Sequence, residues 1–430
     1  MTAMPPRFHL LIAAQFTSAL ADNALLIVTI ALLQERGAPG WWAPMLKVAL
    51  TLSYVLFAPF VGPLADAIPK ARLMAWMNGV KVMGALALLV GLHPVMAFAV
   101  IGFGAAAYAP AKYGLITEIV PPDRLVAANG WVEVSVVCAA LLGTVFGGVL
   151  VSPGLLASQA AVAGSGWLHA LPLVDGSALS GSVFVLLAVY ALAALFNIGI
   201  PDSGARYQRT RLDVVGLCAD FWRSHLLLWG DRDGALSLAV TTIFWGVGAT
   251  LQFAILRWAA DVLKLPLNQA AYLQAAVAVG VIVGASAAGR LVPLGAAKGV
   301  LWAGVVLGLM MPIVASTTPL ALAVPLLTVV GGVAGFMVVP LNALLQHRGC
   351  QLLSAGRSVA VQGFNENASV LGMLGAYAAL IAFGVPIVTL LWGLGVVIAA
   401  AIATLMFRER RRARRDSMET SRARSVNAVG

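Results

Sequence analysis

Asp22, Glu133 and Glu366 each fall inside a long apolar stretch of the chain, and so do the cations Lys81, Lys112 and Arg257. A charged side chain in a hydrocarbon core costs about 3 kcal/mol or more unless it is paired or hydrated, so each needs a reason to be there. Asp22, midway along its stretch and followed by Asn23, suits three tasks: holding an ammonium group, holding a coupling cation, or clasping a cation on another helix. Glu366 lies nine residues past Arg357, about 14 Å along a helix, with Gln362, Asn365 and Asn367 adding polar groups around it. Glu133, in an earlier stretch, fits either a cavity wall or a buried hydrogen-bonded clasp. Among the cations, Lys81 lies deep in its stretch, and a phosphate-bearing ligand would need at least one such group. Arg257, beside Trp258, reads as snorkelling to the interface, and Lys112, at the end of its stretch, can do the same.

Charges this deep require elements that carry them across a bilayer. The chain is 61% hydrophobic and 10% charged over 430 residues, with mean hydropathy +0.94, whereas soluble domains carry roughly 25% charged residues. Apolar runs recur from Phe8 to Phe407, each near the ~20 residues that cross a core of about 30 Å as a helix. They are continuous rather than alternating, which excludes a transmembrane barrel. Twelve spans are expected, from 8–33 through 45–65, 72–92 and 94–114 to 357–384 and 386–407, giving an all-α membrane protein. The first contains Asp22 and lacks a small-residue cleavage site, so it reads as a retained helix and not a signal peptide. Cys138, Cys218 and Cys350 are odd in number and unpaired in spacing, and the five histidines form no HExxH. Neither a disulfide framework, a metal site nor a cofactor is expected.

The net charge of +10 is not a nucleic-acid signal, because the basic residues sit in loops and at the chain end. Of 27 Lys and Arg, 22 fall on one face when the loops alternate: Arg7, thirteen in the loops from Lys70 to Arg357, and eight from Arg408 to Arg424. The positive-inside rule therefore places both termini and the central loop in the cytoplasm. The two halves are related. Residues 124–133 match 357–366 at an offset of 233, and 102–110 match 332–340 at an offset of 230. Duplicated six-helix halves about an axis along the membrane normal describe the major facilitator architecture, with substrate bound near midplane between them. The expected organisation is a six-helix half over 1–200, a central loop over 201–235, a second half over 236–407 and a basic tail over 408–430. Within the loop, Asp213 to Leu228 suits an amphipathic helix on the membrane surface.

The segment Gly62-Pro-Leu-Ala-Asp66-Ala-Ile-Pro-Lys70-Ala-Arg72 resembles the loop signature of that superfamily. Gly62 permits close helix approach, while Asp66 can cap a helix or bridge to a cation. With Arg72 and Lys112 they form an expected cytoplasmic gate. Gly143, Gly147, Gly148, Gly280, Gly284, Gly331, Gly332 and Gly335 read as packing contacts or hinges. Trp41, Trp42 and Trp167 suit an interfacial belt.

A finer resemblance spans nearly the whole chain. The segments 14–26, 56–62, 78–81, 104–114, 244–248, 339–346 and 362–367, in that order, resemble the bacterial lysophospholipid transporter family. The resemblance implies a facilitator-type flippase that moves lysophosphatidylethanolamine and lysophosphatidylglycerol from the outer to the inner leaflet of the inner membrane. A cytoplasmic acyltransferase/acyl-carrier-protein synthetase then re-acylates them. It also implies cavity or gating roles for Asp22 and Glu366, in a protein expected to act as a monomer. The family pattern has an arginine on span seven where this chain has Gln252, the repeat counterpart of Asp22, so a direct Asp–Arg clasp is not expected. An alternative reading is a proton-coupled exporter of drugs or small solutes. An acyltransferase or lipase finds no His-x4-Asp or Gly-x-Ser-x-Gly motif, and no enzyme activity is expected.

Overall fold

The computed structural model describes residues 4–38, 42–158, 179–205, 207, 213–265 and 267–427. These form α1 (Pro6–Glu35), α2 (Trp42–Leu56), α3 (Ala58–Ala67), α4 (Lys70–Leu89), α5 (Pro94–Ile119), α6 (Leu125–Leu150), α7 (Pro153–Leu156), α8 (Ser180–Ile198), α9 (Val214–Gly230), α10 (Arg232–Asp261), α11 (Leu267–Leu291), α12 (Leu301–Ser316), α13 (Leu320–Leu352), α14 (Ala355–Ala382) and α15 (Ile387–Asn427). No strand occurs among the described residues. Trp41, Trp167, Arg206, Arg209 and Arg211 lie outside them. Trp42 stands against the His93 ring, centroids 4.5 Å apart.

Nine of these helices are long and apolar enough to cross a membrane, and α2 with α3 makes a tenth. The remaining pair, α4 and α14, has 20 and 28 residues but carries Lys70, Arg72 and Lys81 in one and Arg357 and Glu366 in the other. These charges keep both helices below the hydropathy of the other ten. The expected span 45–65 is broken. Its two helices meet at 65° around Phe57, because Pro59 cannot donate the backbone hydrogen bond that would continue the helix. The last helix continues beyond its candidate span, Ile387–Arg412, to Asn427.

Local chemistry sets the other boundaries. Asp213, Asp231 and Ser354 cap α9, α10 and α14 by accepting from the amides of Gly216, Gly234 and Arg357, each satisfying an orphan donor of a first turn. Prolines open α1 and α5, where a missing N–H is harmless.

Burial shows where the bundle closes. One apolar core is built from residues between Ala21 and Tyr190, another from residues between Leu236 and Ile402. A third draws on both, packing Val61, Ala111 and Val126 with Ala285, Val339 and Ala360. These last residues lie toward the end of the bundle that carries the basic loops, hereafter the basic end. All the buried residues of α14 fall between Ala355 and Gln362, although the helix runs to Ala382. The two sets of helices thus pack together at the basic end and separate toward the other. Within the second set, α11 and α13 touch backbone to backbone. A Cβ at Gly280 or Gly331 would lie 2.0 Å from a carbonyl oxygen of the facing helix, so these glycines are packing contacts.

Candidate functional site

The middle of the bundle holds a first charged cluster on α1, α4 and α8. The Asp22 carboxylate pairs with the Lys81 ammonium at 2.6 Å and accepts from the Tyr190 hydroxyl at 2.7 Å. Lys81 also donates to Ser18 Oγ at 3.0 Å, and Ser18 donates to Asn78 Oδ1 at 2.7 Å. Lys81 is 2% exposed, whereas the Asp22 side chain keeps 21% of its surface. Asp22 is therefore clasped by a cation on the third span, within the same set of helices. Among the described residues, no side chain of span seven bonds to it. Arg257 pairs instead with Asp261 at 3.2 Å on a half-exposed surface, in keeping with a snorkelling role.

Toward the basic end sits a second cluster. Lys112 does not reach the interface: it is 8% exposed, donates to Gln15 Oε1 at 3.2 Å and lies 4.1 Å from the Tyr113 ring centroid. The gate position expected for it is corrected to an interior one, because Pro110 and the small residues Gly104 to Ala107 let α5 run close to its neighbours. No carboxylate lies within 4 Å of it among the described residues. Its electrostatic neighbours are Glu133, Lys81, Glu366 and Asp22. Gln15 in turn donates to Ser135 at 2.8 Å. Glu133, 7% exposed, faces Lys112 without a hydrogen bond to another side chain among the described residues.

Glu366 opens a ladder of amides that crosses between the two sets of helices. It accepts from Gln362 at 2.8 Å, and Gln362 donates to Asn342 Oδ1 at 2.6 Å. Asn342 donates to Asn129 at 3.2 Å, and Asn129 and Gln346 exchange two hydrogen bonds of 2.9 Å each. Tyr54 on α2 lies within electrostatic reach of both Asp22 and Glu366. The arrangement is therefore layered along the bundle axis. The charges of Asp22, Lys81, Lys112, Glu133 and Glu366 lie above a floor of interlocked amides.

Below that floor the basic end is latched. Asp66 accepts from the Ser354 hydroxyl and from the Gly356 amide at 3.1 Å. A Cβ at Gly62 would sit 3.0 Å from the Arg357 Cα, so only glycine allows α3 and α14 this close. Arg72 is exposed, and among the described residues it makes no bond to the latch. Lys70 is the cation here, 2.6 Å from Glu118, which also accepts from Ser203 at 2.5 Å and Tyr207 at 2.8 Å.

Three more of the residues singled out from sequence stand apart from the charge cluster. Asn23 donates to its own helix at Ala19, 2.8 Å away. Gln252 accepts from Lys47 at 3.3 Å near the opposite end, bridging the two sets of helices there. Asn365 points away from Glu366 to α9, accepting from Trp229 at 3.3 Å. It helps to seat a loop helix that also packs Phe221, Trp222 and His225 around Phe364. Sequence reasoning missed Asn129, Asn342, Gln346, Tyr190, Gln15 and Ser354. Asn129 carried a signal as the repeat counterpart of Gln362, and Gln15, Asn342 and Gln346 lay within the segments that resemble the family. Among the described residues, no group of three His, Cys, Asp or Glu could hold a metal ion.

Residues 11–365 match the model of the Major Facilitator Superfamily. The chain is 39% identical to the lysophospholipid transporter of Citrobacter koseri over 93% of its own length and 95% of that protein's. It is 39% identical to that of Yersinia pestis over 88% and 87%. Among solved structures it resembles the Escherichia coli fucose:proton symporter, with TM-score 0.68, 17% identity and coverage of 93% of this chain and 97% of that one. A bacterial homologue of the iron transporter ferroportin gives TM-score 0.69 at 13% identity, covering 94% and 99%; these likenesses concern the fold. The chain belongs to the major facilitator superfamily and, within it, to the family of the curated lysophospholipid transporters.

Proposed function

We propose that this protein transports lysophospholipids across the bacterial inner membrane, from the outer to the inner leaflet, by alternating access between residues 1–200 and 236–407. The central loop over 201–235, the tail over 408–430 and both termini face the cytoplasm in this reading. Its support is the charge bias of the loops. The kinship with curated lysophospholipid transporters supports the substrate class.

The observation that carries the site assignment is Lys112. A buried ammonium with only neutral hydrogen-bond partners is prepared for an anion, and a lysolipid phosphate is one. Glu133 and Glu366, facing it from the two halves, then suit the ammonium of an ethanolamine headgroup. Lys81 is already committed to Asp22, which makes it the weaker phosphate candidate. The amide floor and the Asp66 latch act as the cytoplasmic gate, which must open to release the lipid. Re-acylation by a cytoplasmic acyltransferase/acyl-carrier-protein synthetase would follow, and the transporter would work as a monomer among membrane lipids.

A leaflet-sensitive flipping assay in proteoliposomes tests this. Lys112→Gln and Glu366→Gln are each expected to lower lysophosphatidylethanolamine uptake at least tenfold, about 1.4 kcal/mol, while the proteins still insert and elute as folded species. Wild-type uptake by both variants would overturn the assignment. A second reading, a proton-coupled exporter of small solutes, draws on Glu133 as a buried carboxylate without a hydrogen-bond partner. Strict proton coupling with a soluble substrate, and no lipid uptake, would favour it.

A further inference from the structure

The second set of helices encloses a void of its own. Helices α10, α11, α12, α13 and α15 surround a free volume of about 110 Å³, with Val247, Leu251, Leu307, Met337, Ile398 and Ile402 in its wall. Among the described residues, none from the first set lines it, and of the side chains that do, only Gln252 and Gln274 are polar. These two are occupied with each other and with the opposite half. Gln274 donates to the Gln252 carbonyl at 2.5 Å, and the Gln252 side chain accepts from Lys47 at 3.3 Å. The rest of the lining is hydrocarbon. Packed interiors leave few voids larger than a water molecule, and an apolar one stays dry and takes up apolar guests.

This slot has a doorway. Phe244, Gly248 and Gln252 recur every four residues and so share one face of α10. That face looks toward the other half: Gln252 reaches Lys47 across the gap, and Phe244 packs against both the core of the second half and the core of the basic end. Between these two side chains Gly248 is exposed, and a Cβ placed on it would meet nothing within 4 Å. Glycine thus leaves an opening one residue wide. The charge cluster is close by. Thr241 on the same helix neighbours Glu366, and Gly248 lies about 10 Å farther along α10.

We propose that the acyl chain of the transported lysolipid threads past Gly248 into this slot, so that the second half holds the tail while the charge cluster holds the headgroup. The inference rests on the lysolipid reading given above and adds to it the place of the tail. A polar cluster and an apolar slot about 10 Å apart along one helix match the two ends of an amphiphile, whereas a small soluble solute would leave the slot unused. The slot also counts chains. Its 110 Å³ is less than the ~150 Å³ of an apolar cavity that takes up benzene, so it admits the end of one chain, and a two-chain lipid must leave a tail outside. Because every wall belongs to the same half, the tail travels with that half when the two rock against each other.

The test uses full-length protein in detergent and a lysophosphatidylethanolamine whose hexadecanoyl chain ends in a diazirine. After irradiation, the cross-linked residues are located by mass spectrometry. Label is expected on Leu307, Met337, Ile398 or Ile402. Val396 and Val397, 59% and 64% exposed on the same helix as Ile398, report a tail that stays outside the protein, and label confined to them would overturn the proposal. Excess unlabelled lysolipid is expected to remove the slot label and excess two-chain phosphatidylethanolamine to spare it; removal by both alike would sink the single-chain fit. In proteoliposomes, Gly248→Leu closes the doorway and is expected to lower the ratio of hexadecanoyl to octanoyl lysolipid uptake about tenfold, since the shorter chain has little to place in the slot. An unchanged ratio contradicts the proposal. Absence of uptake at every chain length by wild type would instead strike the transport reading, while the cross-link still decides the slot.

Discussion

Asp22 and Lys81 form a buried ion pair, 2.6 Å apart, whose two members answer differently to mutation. Removing one charge leaves the other without compensation, which costs about 3–5 kcal/mol when the partner is buried. Lys81 is the more buried of the two, and it also holds Ser18. Asp22→Asn is therefore expected to lower thermal stability as well as transport, by stranding the ammonium. The double substitution Asp22→Asn/Lys81→Met is expected to recover most of the stability without recovering uptake. Thermal unfolding in detergent separates the two effects, and a double variant as unstable as the single one would show that the pair does not act as a unit. The sequence made these residues conspicuous, because a charge in an apolar run is rare and expensive. It did not reveal their pairing, since residues 59 positions apart carry no periodic relation. Asn365 was legible and misread: one residue along a helix turns the side chain by about 100°, so it cannot share the face of Glu366.

The elements at the basic end carry their own reporters. Cys350 on α13 donates to Thr117 on α5 at 3.2 Å, across the seam between halves and partly buried. In protein whose other two cysteines are replaced by serine, Asp66→Ala should loosen the latch and speed alkylation of Cys350 by a maleimide severalfold. Unchanged labelling would mean that the amide floor of Asn129 and Gln346 alone holds the end closed. The corner between α9 and α10 is a second device. Arg348 grips Asp231 with bonds of 2.7 and 3.0 Å, and this holds the Asp231 carboxyl below the usual carboxylate range. A group with a depressed folded pKa adds stability above its unfolded value of about 4 and loses it as pH falls through the folded value. Wild type should therefore lose part of the protection of the α9–α10 amides below about pH 4, and Arg348→Gln should show less of it already at neutral pH. Hydrogen exchange across pH would read both. The amphipathic pattern from Asp213 to Leu228 announced α9 in advance. Its docking on Asn365 depends on tertiary packing, which no local pattern encodes.

At the scale of the molecule, run length, charge bias and the repeated segments were enough to state the architecture. The direction in which the bundle opens was not, because it depends on which end buries more of the same helices. The packing answers that: the basic end is closed by Asp66, Asn129 and Gln346, while near the other end the halves are joined by the bond from Lys47 to Gln252 at 3.3 Å. A rocking motion between rigid halves must lengthen the contacts at one end as it shortens those at the other. Lys47 and Gln252 meet through the tips of two long side chains, whereas a disulfide tolerates a Cα separation of only ~7 Å. A bifunctional maleimide is the suitable clamp. With Lys47→Cys and Gln252→Cys joined by a short linker, the halves can still tilt at the basic end but cannot separate at the other. Loading from the outer leaflet is then expected to stop, although Cys350 remains open to labelling. Joining the same pair with a linker long enough to span the fully open state should restore lipid uptake. Equal uptake with the short and the long linker would rule out rocking about the charge cluster as the transport motion.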